Sequence, residues 1–144
     1  MKKIFLKIFL ITTFVLSMCA ISVDAATYGQ YEYVIKDDTV TITGVLSKAF
    51  FENSQSIPDK IKGLAVVSIG DAAFSGCGNL TGITIPEGVT SIGKSAFSSC
   101  NKLNDVVLPN SLSSIGNSSF SSCSALKSVR LPSGIKSIPM SAFN

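Results

Sequence analysis

The sequence predicts an α/β repeat solenoid, with parallel strands on one face and short helical or 3₁₀ turns on the other. The main observation is a period of 23 residues in the second half of the chain. Five columns keep this step: phenylalanine (Phe74, Phe97, Phe120, Phe143), isoleucine (Ile69, Ile92, Ile115, Ile138), cysteine (Cys77, Cys100, Cys123), leucine (Leu80, Leu103, Leu126) and proline (Pro86, Pro109, Pro132). A fixed period of this length indicates repeats that bury their apolar faces by stacking on one another.

Residues 1–25 have the composition of a secretory signal peptide. Lysines at positions 2, 3 and 7 precede an apolar run, Ile8 to Val23, and the residues up to Ala25 supply small side chains at the expected cleavage site. We predict cleavage after Ala25. Two alternatives stay open: a retained anchor, although the run is shorter than the roughly 20 apolar residues of a membrane span, and a lipoprotein signal at Cys19. A cleaved signal peptide predicts a secreted or cell-surface protein that has no membrane partner after cleavage.

Residues 26–57 predict a β-hairpin that caps the repeats, followed by a connector. Apolar and polar residues alternate from Tyr31 to Ile35 and again around Val40, and Lys36–Thr39 between them has the composition of a turn. The first repeat of a solenoid exposes an apolar end that a terminal unit must cover. The connector contains Phe50 and Phe51 and is less regular.

Residues 58–144 predict the repeats, of which the last is incomplete. Leu80–Ile85 predicts a short strand, with Ile83 and Ile85 buried and Thr84 outside, because alternate side chains of a strand point to opposite faces. The same strand is predicted at Leu103–Leu108 and at Leu126–Leu131. Between the strands, Ser95–Cys100 predicts a compact helical or 3₁₀ turn with Phe97 and Cys100 on one face.

The phrase Ile-Pro-x-x-Val-x-x-Ile-Gly-x-x-Ala-Phe-x-x-Cys-x-x-Leu, which starts at Ile85, resembles the BspA-type leucine-rich repeat of bacterial surface antigens. The segments Tyr31–Thr43 and Ile57–Val66 resemble the N-terminal unit of that family, so the resemblance covers about residues 31–144. It implies a leucine-rich-repeat solenoid and an extracellular or surface-attached adhesin or binding module. Matrix proteins or other cells are the partners that the resemblance implies.

Composition and charge argue against several other functions. Without residues 1–25 the chain has 9 basic (12−3) and 8 acidic (9−1) residues, a balance of +1, and nucleic acids and membrane surfaces require clustered basic residues. There is no histidine, the commonest general base and metal ligand. Ser-x-x-Lys pairs such as Ser91/Lys94 and Ser124/Lys127 occur in different phases of the repeat, as an accidental pattern would. We therefore predict neither enzymatic activity, including serine hydrolysis, nor a cofactor or metal.

The cysteine column admits three interpretations. Zinc requires four converging ligands, usually in close pairs, and a spacing of 23 fits this poorly. Stacked strands lie about 4.8 Å apart, which is compatible with a disulfide between neighbours. Packing as buried free thiols is the interpretation that we favour for Cys77, Cys100 and Cys123.

The outward positions of the predicted strands are the candidate protein-binding residues. They are Thr84, Asp105, Val107, Ser128 and Arg130. Three or four strands at about 4.8 Å, each about 10–12 Å long, give a face on the order of 200 Å², against about 800 Å² per partner in a standard interface. We therefore expect weak binding to an extracellular or cell-surface protein. The alternatives are ordinary solvent-facing residues and a structural spacer that presents a further C-terminal domain.

Overall fold

Ten β-strands form the regular secondary structure in the computed structural model, which describes residues 26–49, 51 and 53–144. The strands are β1 (Ala26–Tyr28), β2 (Tyr31–Lys36), β3 (Thr39–Val45), β4 (Asn53–Ser56), β5 (Lys60–Ile61), β6 (Leu64–Ile69), β7 (Leu80–Thr84), β8 (Ser91–Ile92), β9 (Asp105–Val107) and β10 (Ser114–Ile115). The predicted signal peptide and Phe50 lie outside the described residues. Within the described part, no helix is long and apolar enough to cross a membrane.

The predicted N-terminal hairpin is confirmed, since β2 and β3 pair antiparallel with Lys36 opposite Thr39. Asp37 and Asp38 form the turn with φ values of 50° and 56°, and a type I′ turn requires positive φ at both central residues. On its other side, β3 pairs in parallel with β6. The hairpin is therefore continuous with a sheet of the repeats.

The repeats form two sheets, where the sequence predicted a single strand face. The larger sheet has the order β1-β2-β3-β6-β8-β10, with β5 paired to β6, and the smaller sheet has the order β4-β7-β9. Strands of successive repeats pair in parallel, as predicted. Paired residues such as Ser91 and Ser114 are 23 positions apart, so the sequence period is the register of the stacking.

Helical or 3₁₀ turns between the strands were predicted wrongly. The described residues contain no helix, and the segment around Phe97 consists of hydrogen-bonded turns. The N–H groups of Ser98 and Cys100 donate to carbonyls three residues earlier, whereas those of Ser95 and Phe97 donate to Asn117 and Ser119 of the next repeat, at 2.9 and 2.8 Å. Because alternate donors are used between repeats, the i→i−3 bonds of a 3₁₀-helix cannot continue along the chain.

The hydrophobic core contains a stack of phenylalanine rings from successive repeats. The centroid distances from Phe74 to Phe97, Phe97 to Phe120 and Phe120 to Phe143 are 5.0, 5.2 and 5.3 Å, with interplanar angles of 6° or less. Phe51 packs on Phe74 at 5.4 Å and is itself fully buried. At this end of the stack, the ring of Tyr31 in β2 lies edge-on to both Phe51 and Phe74. An aromatic residue of the hairpin thus covers the end of the core.

The last repeat departs from the predicted strand pattern. Leu126–Leu131 forms no strand, and the smaller sheet ends at β9 within the described residues. Leu126 and Leu131 are half-buried. In the larger sheet, the N–H of Gly116 donates to the carbonyl of Ile92 at 2.8 Å. The equivalent position one period later is Pro139. Proline has no N–H group, so it cannot continue this series of bonds.

Candidate binding face

The smaller sheet brings three of the five predicted binding residues together. Thr84 pairs with Val107, and Asp105 pairs with Gly82, across the parallel strands β7 and β9. The side chains of Thr84, Asp105 and Val107 are exposed, while Ile83 next to Thr84 is buried and Val106 between Asp105 and Val107 is half-buried. This alternation follows the two-residue side-chain period of a strand, and it places the three residues on one outward surface.

Ser128 and Arg130 lie one period after Asp105 and Val107, in the segment that forms no strand. Both are exposed. We call Thr84, Asp105, Val107, Ser128 and Arg130 the binding face.

Two residues of this surface were missed in the sequence. Strand β4 lies in the predicted connector, and its exposed Ser54 and Ser56 pair with Gly82 and Thr84. The signal was present, because Phe51 precedes Phe74 by 23 residues and so extends the phenylalanine column into the connector. The surface therefore begins one strand earlier than predicted.

The N-terminal edge of this sheet is covered by the hairpin. Tyr31 donates its hydroxyl to the carbonyl of Ser56 at 3.2 Å, and Gln30 donates its side-chain amide to Gln55 at 3.0 Å. Burial raises the pKa of the Tyr31 hydroxyl, which keeps the hydroxyl protonated as a donor. A strand edge that is covered in this way is protected from pairing with another chain.

The chemistry of the binding face is that of a small contact surface. Val107 exposes 49% of its surface. Asp105 precedes Val107 by two residues and Arg130 follows it by one period, so the binding face includes one charge of each sign. Such a surface offers an apolar contact with polar neighbours.

The Ser-x-x-Lys residues make contacts between repeats. Ser91 and Ser68 share a hydrogen bond of 2.8 Å between their hydroxyls, and Ser124 donates to the carbonyl of Asn101 at 3.2 Å. Lys102 donates to the side chain of Asn79 at 2.9 Å.

Among the described residues, no group of three or more His, Cys, Asp or Glu is arranged to hold a metal ion.

The favoured interpretation of the cysteine column is confirmed, because all three thiols are buried and free. Cys100 donates its thiol to the carbonyl of Phe74 at 3.2 Å, and Cys123 donates to that of Phe97 at 3.1 Å. Burial raises the pKa of Cys77. The interaction between Cys100 and Cys123, together with burial, raises the pKa of Cys100, and the same interaction lowers the pKa of Cys123. Burial shields all three thiols from solvent, and the raised pKa of Cys77 and Cys100 further limits the thiolate, which is the reactive form.

We expect Cys77, Cys100 and Cys123 to resist a maleimide probe in the native protein. All three should react after denaturation without reductant, because none is in a disulfide. Mass spectrometry of the labelled protein counts the adducts. A single adduct after denaturation would contradict the prediction, since it would place two of the thiols in a bridge.

Two comparisons with known proteins, by family profile and by solved structure, agree on one kind of protein. A profile of the BspA-type leucine-rich repeat region matches residues 41–144 in six copies. A leucine-rich repeat protein from Bacteroides ovatus is similar, with 38% identity, a TM-score of 0.73, and coverage of 82% of this chain and 32% of that one. One from Bacteroides capillosus has 33% identity, a TM-score of 0.67, and coverage of 78% and 86%.

A leucine-rich repeat protein of T. pallidum is also similar, with 30% identity, a TM-score of 0.65, and coverage of 83% of this chain and 66% of that one. The chain thus spans about one third of the B. ovatus protein and just under two thirds of the T. pallidum protein. No curated protein matches the chain.

Proposed function

Since the chain belongs to the BspA-type leucine-rich repeat family, we propose that it is a secreted or cell-surface adhesion module without catalytic activity. Its binding face contacts an extracellular or cell-surface protein. Proteins of this family are leucine-rich repeat proteins from bacteria, and repeat proteins bind partners on extended surfaces formed by stacked repeats. The predicted signal peptide supports export of the chain.

The observation that carries the proposal is the exposure of Val107 among polar residues on the smaller sheet. Burial of an exposed aliphatic side chain gives a favourable contribution of about 25 cal/mol for each Å² removed from water. Arg130 lies one period beyond Val107, and arginine is enriched among the residues that dominate binding energy.

The binding face is small, so its affinity depends on multivalency. A face on the order of 200 Å² is well below the roughly 800 Å² per partner of a standard interface. Linked weak sites gain about 10²–10⁴ in overall avidity. Many copies presented on one cell surface therefore compensate for the weak binding of each copy.

The test uses an array of purified extracellular-matrix proteins and the chain presented in many copies on beads. The double variant Val107→Ser, Arg130→Ala is expected to lose at least about tenfold in capture, which corresponds to about 1.4 kcal/mol. Monomeric chain should bind the same arrayed proteins more weakly than the beads.

A matched control carries the same kinds of substitution away from the binding face. Ile35 in β2 exposes 44% of its surface, and Lys94 is exposed on the turn side. The variant Ile35→Ser, Lys94→Ala should bind as the unmodified chain does. The proposal fails if this control loses capture while the binding-face variant keeps it.

A further inference from the structure

Five exposed side chains on three neighbouring strands form a continuous patch of the smaller sheet. They are Ser54 and Ser56 of β4, Thr84 of β7, and Asp105 and Val107 of β9, and we call them the hydroxyl patch. The parallel pairing of the three strands places these side chains next to one another on one surface. The patch spans two strand spacings, about 10 Å, and two residues along each strand, about 7 Å.

Gly82 lies at the centre of the hydroxyl patch. It pairs with Ser54 on one side and with Asp105 on the other. A Cβ atom at this position would lie 2.5 Å from the hydroxyl oxygen of Ser54, so a larger residue would displace that side chain. The glycine therefore allows the Ser54 hydroxyl to lie over β7, between β4 and the strand that carries Asp105.

The polar side chains of the hydroxyl patch have no hydrogen-bond partner in the part of the chain that the structure describes. This holds for the hydroxyls of Ser54, Ser56 and Thr84 and for the carboxylate of Asp105. By contrast, several hydroxyls on the larger sheet and in the turns bond to the preceding repeat. The groups of the patch do not hold the repeats together, and they are available to a ligand.

Their donor and acceptor pattern complements that of a sugar. Each serine or threonine hydroxyl can donate one hydrogen bond and accept two, as a sugar hydroxyl also does. A carboxylate only accepts, and its two oxygens can take bonds from two neighbouring hydroxyls of one ring. Such bonds to a charged acceptor are roughly twice as strong as neutral ones. The methyl groups of Val107 add an apolar contact for the C–H groups of the ring.

Size and edge protection argue against a polypeptide as the occupant of the patch. A folded partner uses about 800 Å² in a standard interface, whereas the whole binding face is on the order of 200 Å². An extended peptide would add to a free strand edge, but Gln30 and Tyr31 cover the N-terminal edge of this sheet. One or two sugar rings require neither a large area nor a free edge.

Charge selects among sugars. Asp105 is the one charged residue of the hydroxyl patch. An acidic sugar would bring a second negative charge to it, and like charges oppose association. A cationic group would pair with Asp105 but would leave the three hydroxyls without acceptors or donors of its own. A neutral sugar satisfies both the carboxylate and the hydroxyls.

We propose that the hydroxyl patch binds a neutral glycan, so that the partner of the binding face is recognised through its sugar chains. Asp105 accepts hydrogen bonds from neighbouring hydroxyls of one ring, Ser56 and Thr84 bond to further hydroxyls, and Val107 contacts the C–H groups. This inference rests on the proposed adhesion, and it names the chemical group of the partner that the binding face contacts.

The first experiment measures binding of the bead-bound chain to polyacrylamide carriers of mannose, galactose or N-acetylglucosamine. At least one of these neutral carriers should bind, and a carrier of sialic acid, which is acidic, should bind more weakly. Asp105→Asn is expected to lower the binding at least about tenfold, the usual effect of losing a hydrogen bond to a charged group. Asp38→Asn is the matched control, because Asp38 lies exposed in the hairpin turn of the other sheet, and it should bind as the unmodified chain does.

Thr84→Val separates a sugar from an apolar protein contact. The substitution keeps the branched shape of an exposed side chain and removes its hydroxyl. Binding of a sugar should fall about twofold to tenfold, as expected for one neutral hydrogen bond. An apolar contact would be kept or strengthened, since the added methyl group is buried in it, and that result would overturn the proposal.

Enzymatic removal of glycans from the arrayed matrix proteins separates this inference from the proposed adhesion. Loss of capture after the treatment is the expected result. Unchanged capture would overturn the glycan inference and leave the adhesion proposal standing. Absence of binding to every neutral carrier would also overturn the glycan inference. If a neutral carrier binds and Asp105→Asn weakens it while the untreated array captures nothing, the glycan site stands and the proposed adhesion to matrix proteins fails.

Discussion

Replacement of Phe97 with alanine is expected to lower the free energy of unfolding by about 3–5 kcal/mol, in the range measured for buried aromatic residues. Phe97 is fully buried and stacks on Phe74 at 5.0 Å and on Phe120 at 5.2 Å. The substitution therefore opens a cavity between two repeats. Urea denaturation followed by circular dichroism measures the loss, and Phe120→Ala should give a similar value.

Phe143→Ala is the control, because it removes the same side chain where the stack has one neighbour. Phe143 is 39% exposed, and its ring stacks on one other ring among the described residues, that of Phe120 at 5.3 Å. Its loss should be far smaller than that of Phe97. Equal losses at both positions would contradict the stacked arrangement of the repeats.

Gly93→Ala is expected to destabilise the protein by about 1–3 kcal/mol, the usual cost of overpacking. A Cβ atom at Gly93 would lie 2.6 Å from the backbone nitrogen of Asp71 and 2.6 Å from the carbonyl carbon of Gly70. Both are backbone atoms of the preceding repeat, so relief requires the two repeats to separate. Thermal unfolding of the variant measures the effect.

Gly78 supplies a matched substitution. A Cβ atom there would have no neighbour within 4 Å, and Gly78→Ala also removes backbone freedom from the unfolded chain. This variant should be neutral or slightly stabilised. A loss at Gly78 as large as that at Gly93 would indicate that the distance between repeats is not what restricts Gly93.

Side-chain columns were sufficient to predict the stacking and its register. A column such as Phe74, Phe97 and Phe120 requires equivalent positions in successive repeats, and the observed pairing of Ser91 with Ser114 has the same step. The hairpin was also predictable, because Asp37 and Asp38 separate two alternating segments at a turn that requires positive φ. These features depend on local sequence and on the period.

The turns were less predictable because their backbone N–H groups donate to two kinds of acceptor. Ser98 bonds within its own turn, whereas Phe97 bonds to Ser119 of the next repeat. Side-chain periodicity contains no information about that choice. Leu126–Leu131 matches the earlier strands in sequence but forms no strand, a difference that side-chain periodicity also does not encode.

The candidate site was predictable in part. Alternation placed Thr84 and Val107 outward, and the structure has them as paired, exposed neighbours. The contribution of β4 was missed because the distance from Ser56 to Thr84 is 28 residues, which breaks the period. The sequence from Pro58 to Phe74 is five residues longer than its equivalent in the next repeat and contains the antiparallel pair of β5 and β6.

Site-specific photo-crosslinking tests the proposed use of the binding face most directly. Benzoylphenylalanine is placed at position 107 or, as control, at position 94, and each protein is irradiated with the matrix protein that gives the strongest capture on the array. A crosslinked product from position 107, with little from position 94, is the predicted result. Crosslinking from position 94 with none from position 107 would contradict the account, because it would place the partner on the turn side of the solenoid.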